Sequence, residues 1–154
     1  MVLDDTTIER LTRESKPSLE LAQLMPAKRK RAHRETQLEV EGREGSRFRV
    51  IVRQLVLDPL DFSVILAYLP SGSTRVFRLR RHNGSSHVHS NKLEGTTIRF
   101  DFHMHTATER YQVAGFKEED YAEPTDAYGD LPGAVAYMLE VAGFEPPAQR
   151  SMAV

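Results

Sequence analysis

There is no cysteine among the 154 residues, so disulfides, thiolate metal sites and cysteine nucleophiles are all excluded. There is also no apolar run near the roughly 20 residues needed to span a bilayer. The first residues, MVLDDTTIER, are acidic and lack the apolar stretch of a signal peptide. These absences lead us to expect a cytoplasmic protein with no membrane partner. The length is that of one domain and allows a core without covalent staples.

Charge is abundant but uneven. The net charge is only −1. Yet Lys28 to Arg34 reads KRKRAHR, the stretch from Arg43 to Val113 is basic, and the stretch from Ala114 onward is acidic. Blocks of this kind bear on partners more than the total does. A basic centre suits a polyanion such as RNA; it is equally met by an acidic part that neutralises it within the fold.

Hydrophobic periodicity predicts helices at the two ends and strands between. Thr6-Thr7-Ile8-Glu9 has the form of a capping box, and Pro17 should end the helix it opens. A second helical piece is expected over Ser18–Met25, and Lys28–Arg34 as an exposed connector or arm. Glu35–Glu41 reads as an edge strand. Ser46–Leu57 alternates, with Phe48, Val50, Val52 and Val56 on one face and Arg47, Arg49 and Arg53 on the other. Asp58-Pro59 marks a turn, Phe62–Leu69 a central strand, and Pro70–Ser73 a hairpin turn.

An arginine-rich strand is expected over Thr74–Arg81, then a turn at His82-Asn83-Gly84. His87–Ser90 is a short strand or ordered loop. Thr97–His105 reads as one amphipathic strand, with Ile98, Phe100, Phe102 and Met104 facing inward. Glu109–Val113 is a further strand or turn, and Phe116–Tyr128 is irregular. Asp130 should cap a helix over Leu131–Ala142, with Gly143 just past its end. The expected fold is α+β: a mostly antiparallel sheet of four to six strands, with N-terminal and C-terminal helices packed on one face. Residues 1–34 would form a helical extension and basic arm, residues 35–145 the domain, and residues 146–154 a tail.

The sharpest chemical feature is the histidines. Five of the six lie between positions 82 and 105, in two His-x-His units, His87-Val88-His89 and His103-Met104-His105. Residues i and i+2 of a strand share a face, roughly 7 Å apart. Such a pair could give two ligands to Zn or another divalent transition metal, with Asp101, Glu94 or another histidine as third. It could instead do general acid–base work without a cofactor. One neutral imidazole takes a proton from the 2′-hydroxyl of RNA, a charged one protonates the leaving oxygen, and cations hold the phosphorane. On that reading His87, His89, His103 and His105 are catalytic. Arg80, Arg81 and Arg99 hold phosphate, and Lys28, Arg29, Lys30 and Arg31 attract the backbone. Histidines on a polar sheet face can also simply bond to their neighbours. What decides is whether the two pairs meet.

His87-x-His89-x₄-Glu94 resembles the first metal motif of cupins, but the second motif is missing and the strands are too few for a jelly roll. The stretch from Leu57 to Phe144 also resembles small bacterial proteins that include the TumE-like toxins of toxin–antitoxin modules and related domains of unknown function. The resemblance rests on Arg80-Arg81-His82-Asn83-Gly84, on His87-Val88-His89 directly after it, and on the closing segment Tyr128 to Phe144. It implies a ribonuclease-type toxin with the turn arginine and the histidines at its site and a cognate antitoxin or other protein as partner; self-association into a homo-oligomer is a separate expectation. The second histidine pair and the long N-terminal part have no counterpart in that pattern, which leaves room for a noncatalytic module whose basic face binds nucleic acid or a protein.

Overall fold

Asp4 rather than Thr6 starts the first helix: its carboxylate accepts from the Thr7 backbone N–H at 2.8 Å. In the computed structural model, which describes residues 1–147, α1 (Asp5–Arg13) buries Ile8 and Leu11. The second helix, α2 (Leu21–Leu24), is a single turn, shorter than its apolar residues suggest. The basic segment is not a free arm. β1 (Lys28–Lys30) turns at Arg31, φ +54°, and pairs with β2 (His33–Glu41), which makes β1 the sheet edge in place of β2.

The chain continues through β3 (Arg47–Leu55), β4 (Asp58–Tyr68), β5 (Phe77–Asn83), β6 (Val88–Asn91), β7 (Thr96–Arg99) and β8 (His103–Thr106). Then follow α3 (Glu109–Val113), β9 (Ala122–Pro124) and α4 (Leu131–Val141). Seven strands form one antiparallel sheet in the order β1-β2-β3-β4-β5-β8-β9, and β6 and β7 form a separate hairpin. The α+β class is as expected, with one strand more than expected in the main sheet.

Four local expectations need correction. Asp58-Pro59 lies inside β4, and the turn is Val56-Leu57. His82 and Asn83 end β5, so the chain turns only at Gly84. Thr97–His105 is two strands in different sheets, because Phe100 adopts φ +56° and breaks the run. Glu109–Val113 is a helical turn capped by Thr108.

The alternation in β3 places Phe48, Val50 and Val52 in the core, facing Val64 and Leu66 of β4. Asp130 caps α4 through the Gly133 N–H, and Val135 and Met138 pack onto this face. Each such side chain contributes about 1.5–3 kcal/mol on burial. Ile8, Leu11 and Leu24 join the same core, so residues 1–34 are integral to the domain. Of the expected tail, 148–154 lies outside the described residues.

Lys16 ties the two ends together. Its fully buried ammonium donates to the carbonyls of Leu11, Thr12, Glu14 and Ala142, and it sits 4.3 Å from the Phe48 ring centroid. Gly143, φ +75°, lies so close that a Cβ there would sit 2.6 Å from the Arg13 carbonyl oxygen. Among the described residues no helix is long and apolar enough to cross a membrane.

Candidate functional site

The face of the sheet away from the core helices is polar, and register decides what meets on it. Gln37, Ile51, Ile65, Arg81, His105 and Ala122 form one row across the strands. Glu35, Arg53, Ser63, Asn83 and His103 form the next. The β6–β7 hairpin covers the far end of these rows. Asn91 docks it by pairing with both the N–H and the carbonyl of Ala122, at 2.9 and 2.8 Å.

Under the hairpin three of the four paired histidines meet. The His89 ring centroid lies 4.6 Å from that of His105 and 5.9 Å from that of His103, and the last two are 5.1 Å apart. Contrary to the solvent-facing strand expected, His103 and His105 are buried. Each ring is fixed by a backbone carbonyl. His105 Nδ1 donates to Glu119 O at 2.8 Å, His103 Nδ1 to Asp101 O at 2.9 Å, and His89 Nε2 to Asp120 O at 2.7 Å. A carbonyl only accepts, so those nitrogens carry the proton in a neutral ring. Burial pushes His105 down to about 3 and also lowers His103, which favours the neutral form of both rings. Among the described residues no three His, Asp or Glu side chains are arranged to hold one metal ion. Glu94 is engaged by Tyr111 and Arg110, and Asp101 reaches His103 through its backbone oxygen rather than its carboxylate.

His87 stands apart from the triad. It is exposed, and its Nε2 lies 3.2 Å from Asp61 Oδ2 on β4. It lines a pocket of about 190 Å³ together with His33, Arg53, Asp61, Ser63, Arg81 and Asn83. Gly84 forms part of the wall, and its backbone packs so closely on β4 that a Cβ there would sit 1.9 Å from the Leu60 carbonyl oxygen. Asn83 links pocket and triad: its side-chain amide lies 3.5 Å from His103 Nε2 and its Oδ1 accepts from Ser63 Oγ at 2.8 Å.

Arg81 is the arginine expected to hold phosphate that reaches this pocket. Its Nη2 lies 3.5 Å from Oε2 of buried Glu119, and Arg78 Nε lies 3.7 Å away on the same oxygen. Neither carboxylate oxygen of Glu119 has a hydrogen bond. Burial holds the Glu119 carboxyl above its ordinary range in spite of both arginines.

The other expected phosphate contacts fall elsewhere. Arg80 lies on the opposite, helix-covered face, where its Nε donates to His82 Nε2 at 3.1 Å. Arg99 is exposed on the outer side of β7, since its neighbour Ile98 faces inward opposite His89. Lys28, Arg29, Lys30 and Arg31 are exposed on the edge hairpin. Lys30 pairs in register with His33, so that hairpin ends at the pocket side of the sheet. A larger cavity of about 660 Å³ beside Glu39 offers no histidine, and its Arg47 and Arg49 are both paired with Glu39.

Sequence reasoning missed His33, Arg53, Asp61, Ser63 and Asn83 as a group. The polar alternation of β3 was a signal for Arg53; nothing local marks Asp61. Together the fold and pocket define an α+β protein whose open sheet face carries a histidine- and arginine-lined site backed by three meeting imidazoles, of which His103 and His105 are buried and His89 half-buried. In comparison with known proteins, the chain matches no family model, no curated protein and no solved structure.

Proposed function

We propose that this chain is a metal-independent ribonuclease of toxin type, acting in the pocket lined by His33, Arg53, Asp61, Arg81 and His87. The observation that carries the reading is that two histidines and two arginines line one small pocket, with Asp61 in contact with one of the imidazoles. His33 and His87 come from different elements. His33 stands on β2, whereas His87 follows β5 and is held against Asp61 of β4; at about 4.8 Å per strand β2 and β4 are roughly 10 Å apart.

In the proposed reaction His33 takes the proton of a ribose 2′-hydroxyl as its oxygen attacks phosphorus. His87, held by Asp61, gives a proton to the departing 5′-oxygen as the P–O5′ bond breaks. Arg53 and Arg81 stabilise the phosphorane oxygens. The products are a 2′,3′-cyclic phosphate and a 5′-hydroxyl. His89, His103 and His105 are positioning residues on this account: they hold residues 119–120 and, through Asn83 and Arg81, the pocket floor. The basic β1–β2 hairpin adds backbone attraction that is independent of sequence.

Phe100 supplies a platform for a base. It is 64% exposed, it adopts a left-handed backbone that a bulky residue rarely takes, and its N–H donates to the His87 carbonyl at 3.2 Å. The toxin role and an antitoxin partner follow from the motif resemblance; a cytoplasmic setting rests on the lack of cysteine, and it and a second copy as partner are part of the same proposal. Cleavage of RNA by the full chain in EDTA tests it. His87→Ala and His33→Ala should each lower the rate roughly 10²–10⁴-fold, and Arg99→Ala should not. No cleavage, or equal cleavage by all variants, would overturn it.

A further inference from the structure

Arg80 and Arg81 are neighbours in sequence on opposite faces of the sheet, and Arg80 poses a separate problem. Its Nε donates to His82 and its Nη2 contacts the Met104 sulfur at 3.5 Å. Among the described residues no carboxylate lies within ion-pair distance of it. Burial works against its charge. A guanidinium does not give up its proton in a protein, and a charge drawn out of water calls for a counter-ion.

Arg80 borders a cavity of about 410 Å³ between α1, α4 and β8. The apolar lining comes from Ile8, Ala107 and Val141, with Tyr137 beside them. Two carboxylates stand in the same lining, but both are engaged. Asp5 Oδ1 accepts from the Glu109 N–H at 2.8 Å, and Glu9 pairs with Arg13 at 3.2 Å. The cavity therefore combines an unpaired cation with an apolar wall.

We infer that this cavity binds a small organic carboxylate, its anionic end on Arg80 and its body against Ile8, Ala107 and Tyr137. The site lies on the other side of the sheet from the proposed nuclease pocket and does not depend on it. The planar fork of Arg80 suits the two oxygens of a carboxylate.

Thermal unfolding of the full chain in sodium benzoate, sodium acetate and neutral benzamide, at matched ionic strength, tests this. Benzoate should raise Tm along a saturating curve, acetate more weakly, and benzamide not at all. Arg80→Met should weaken the apparent affinity about tenfold or more. Thr106→Phe, which keeps Arg80 but fills the cavity from β8, should do the same and decides the matter should Arg80→Met fail to fold. Absence of a saturating rise with either carboxylate, or the same rise in Thr106→Phe, would overturn the inference.

Discussion

His87 Nε2 lies 3.2 Å from Asp61 Oδ2, joining the segment that follows Gly84 to the central strand of the sheet. The contact orients an otherwise exposed ring over the pocket and balances its charge whenever it carries the proton. Asp61→Asn keeps the shape and removes that charge. Cleavage should fall, by less than the roughly 10²–10⁴-fold expected for His87→Ala, while RNA binding stays close to that of the parent. Measuring kcat and KM separately checks this; a change confined to KM would contradict it.

Phe100 separates binding from stability. Replacing it by glycine removes a stacking surface but relieves a left-handed backbone that costs of order 1 kcal/mol for a bulky residue. Phe100→Gly should leave the fold as stable or more stable in urea. Single-stranded RNA binding should weaken by about 1–3 kcal/mol. Loss of stability with unchanged binding would show that the ring packs rather than stacks.

Lys16 should be the most sensitive charged residue in the fold. Its three N–H groups lie within reach of four carbonyls that have been taken out of water at the junction of α1 and α4, Leu11 O being the longest contact at 3.3 Å. Lys16→Met keeps the length and leaves these carbonyls without the ammonium. Unfolding free energy should fall by about 3 kcal/mol, the scale of unpaired buried acceptors, in denaturant titration.

Acid should loosen the protein through its buried imidazoles. Burial holds His82 and His105 down to about 3 and also lowers His103, whereas in the unfolded chain each titrates near 6.5. The unfolded state therefore takes up protons first. The contribution is full above about pH 6.5 and is lost as pH falls, by up to about 1.4 kcal/mol per pH unit for each ring. Glu119, whose carboxyl burial raises, opposes the trend, since its contribution is lost as pH rises. Urea titrations at pH 7.5, 6.5 and 5.5 should show falling stability, with a shallower slope for His105→Gln. A flat profile would contradict the assignment of neutral buried rings.

The parts of the fold that follow period-two or helical spacing were readable in advance. β3 announces its two faces through Phe48, Val50 and Val52 against Arg47, Arg49 and Arg53, and α4 announces its ends through Asp130 and Gly143. What strict alternation could not reveal is a bulge. The register shift between Leu66 and Ala67 puts Arg78 opposite Ala67 and Arg80 opposite Leu66, so two arginines at i and i+2 point to different faces. Neighbours on a strand face opposite sides, so only one of the Arg80-Arg81 pair can reach the pocket, and the bulge makes it Arg81. The break at Phe100 was hidden because a bulky residue carries no mark of a left-handed backbone. His33 was hidden inside a run of cations that looked like an arm, and only the pairing of β2 with β3, His33 opposite Leu55, brings it to the pocket. The two histidine pairs do meet, but through three rings, and the fourth marks the open site.

The most direct test of the account compares two oligonucleotides in EDTA. One is all-ribose; the other carries a single 2′-deoxyribose at the position cut in the first. The account predicts cleavage of the first to a 2′,3′-cyclic phosphate and a 5′-hydroxyl, and no cleavage at that position in the second. Cleavage of both, or cleavage that appears only when a divalent metal is restored, would contradict it.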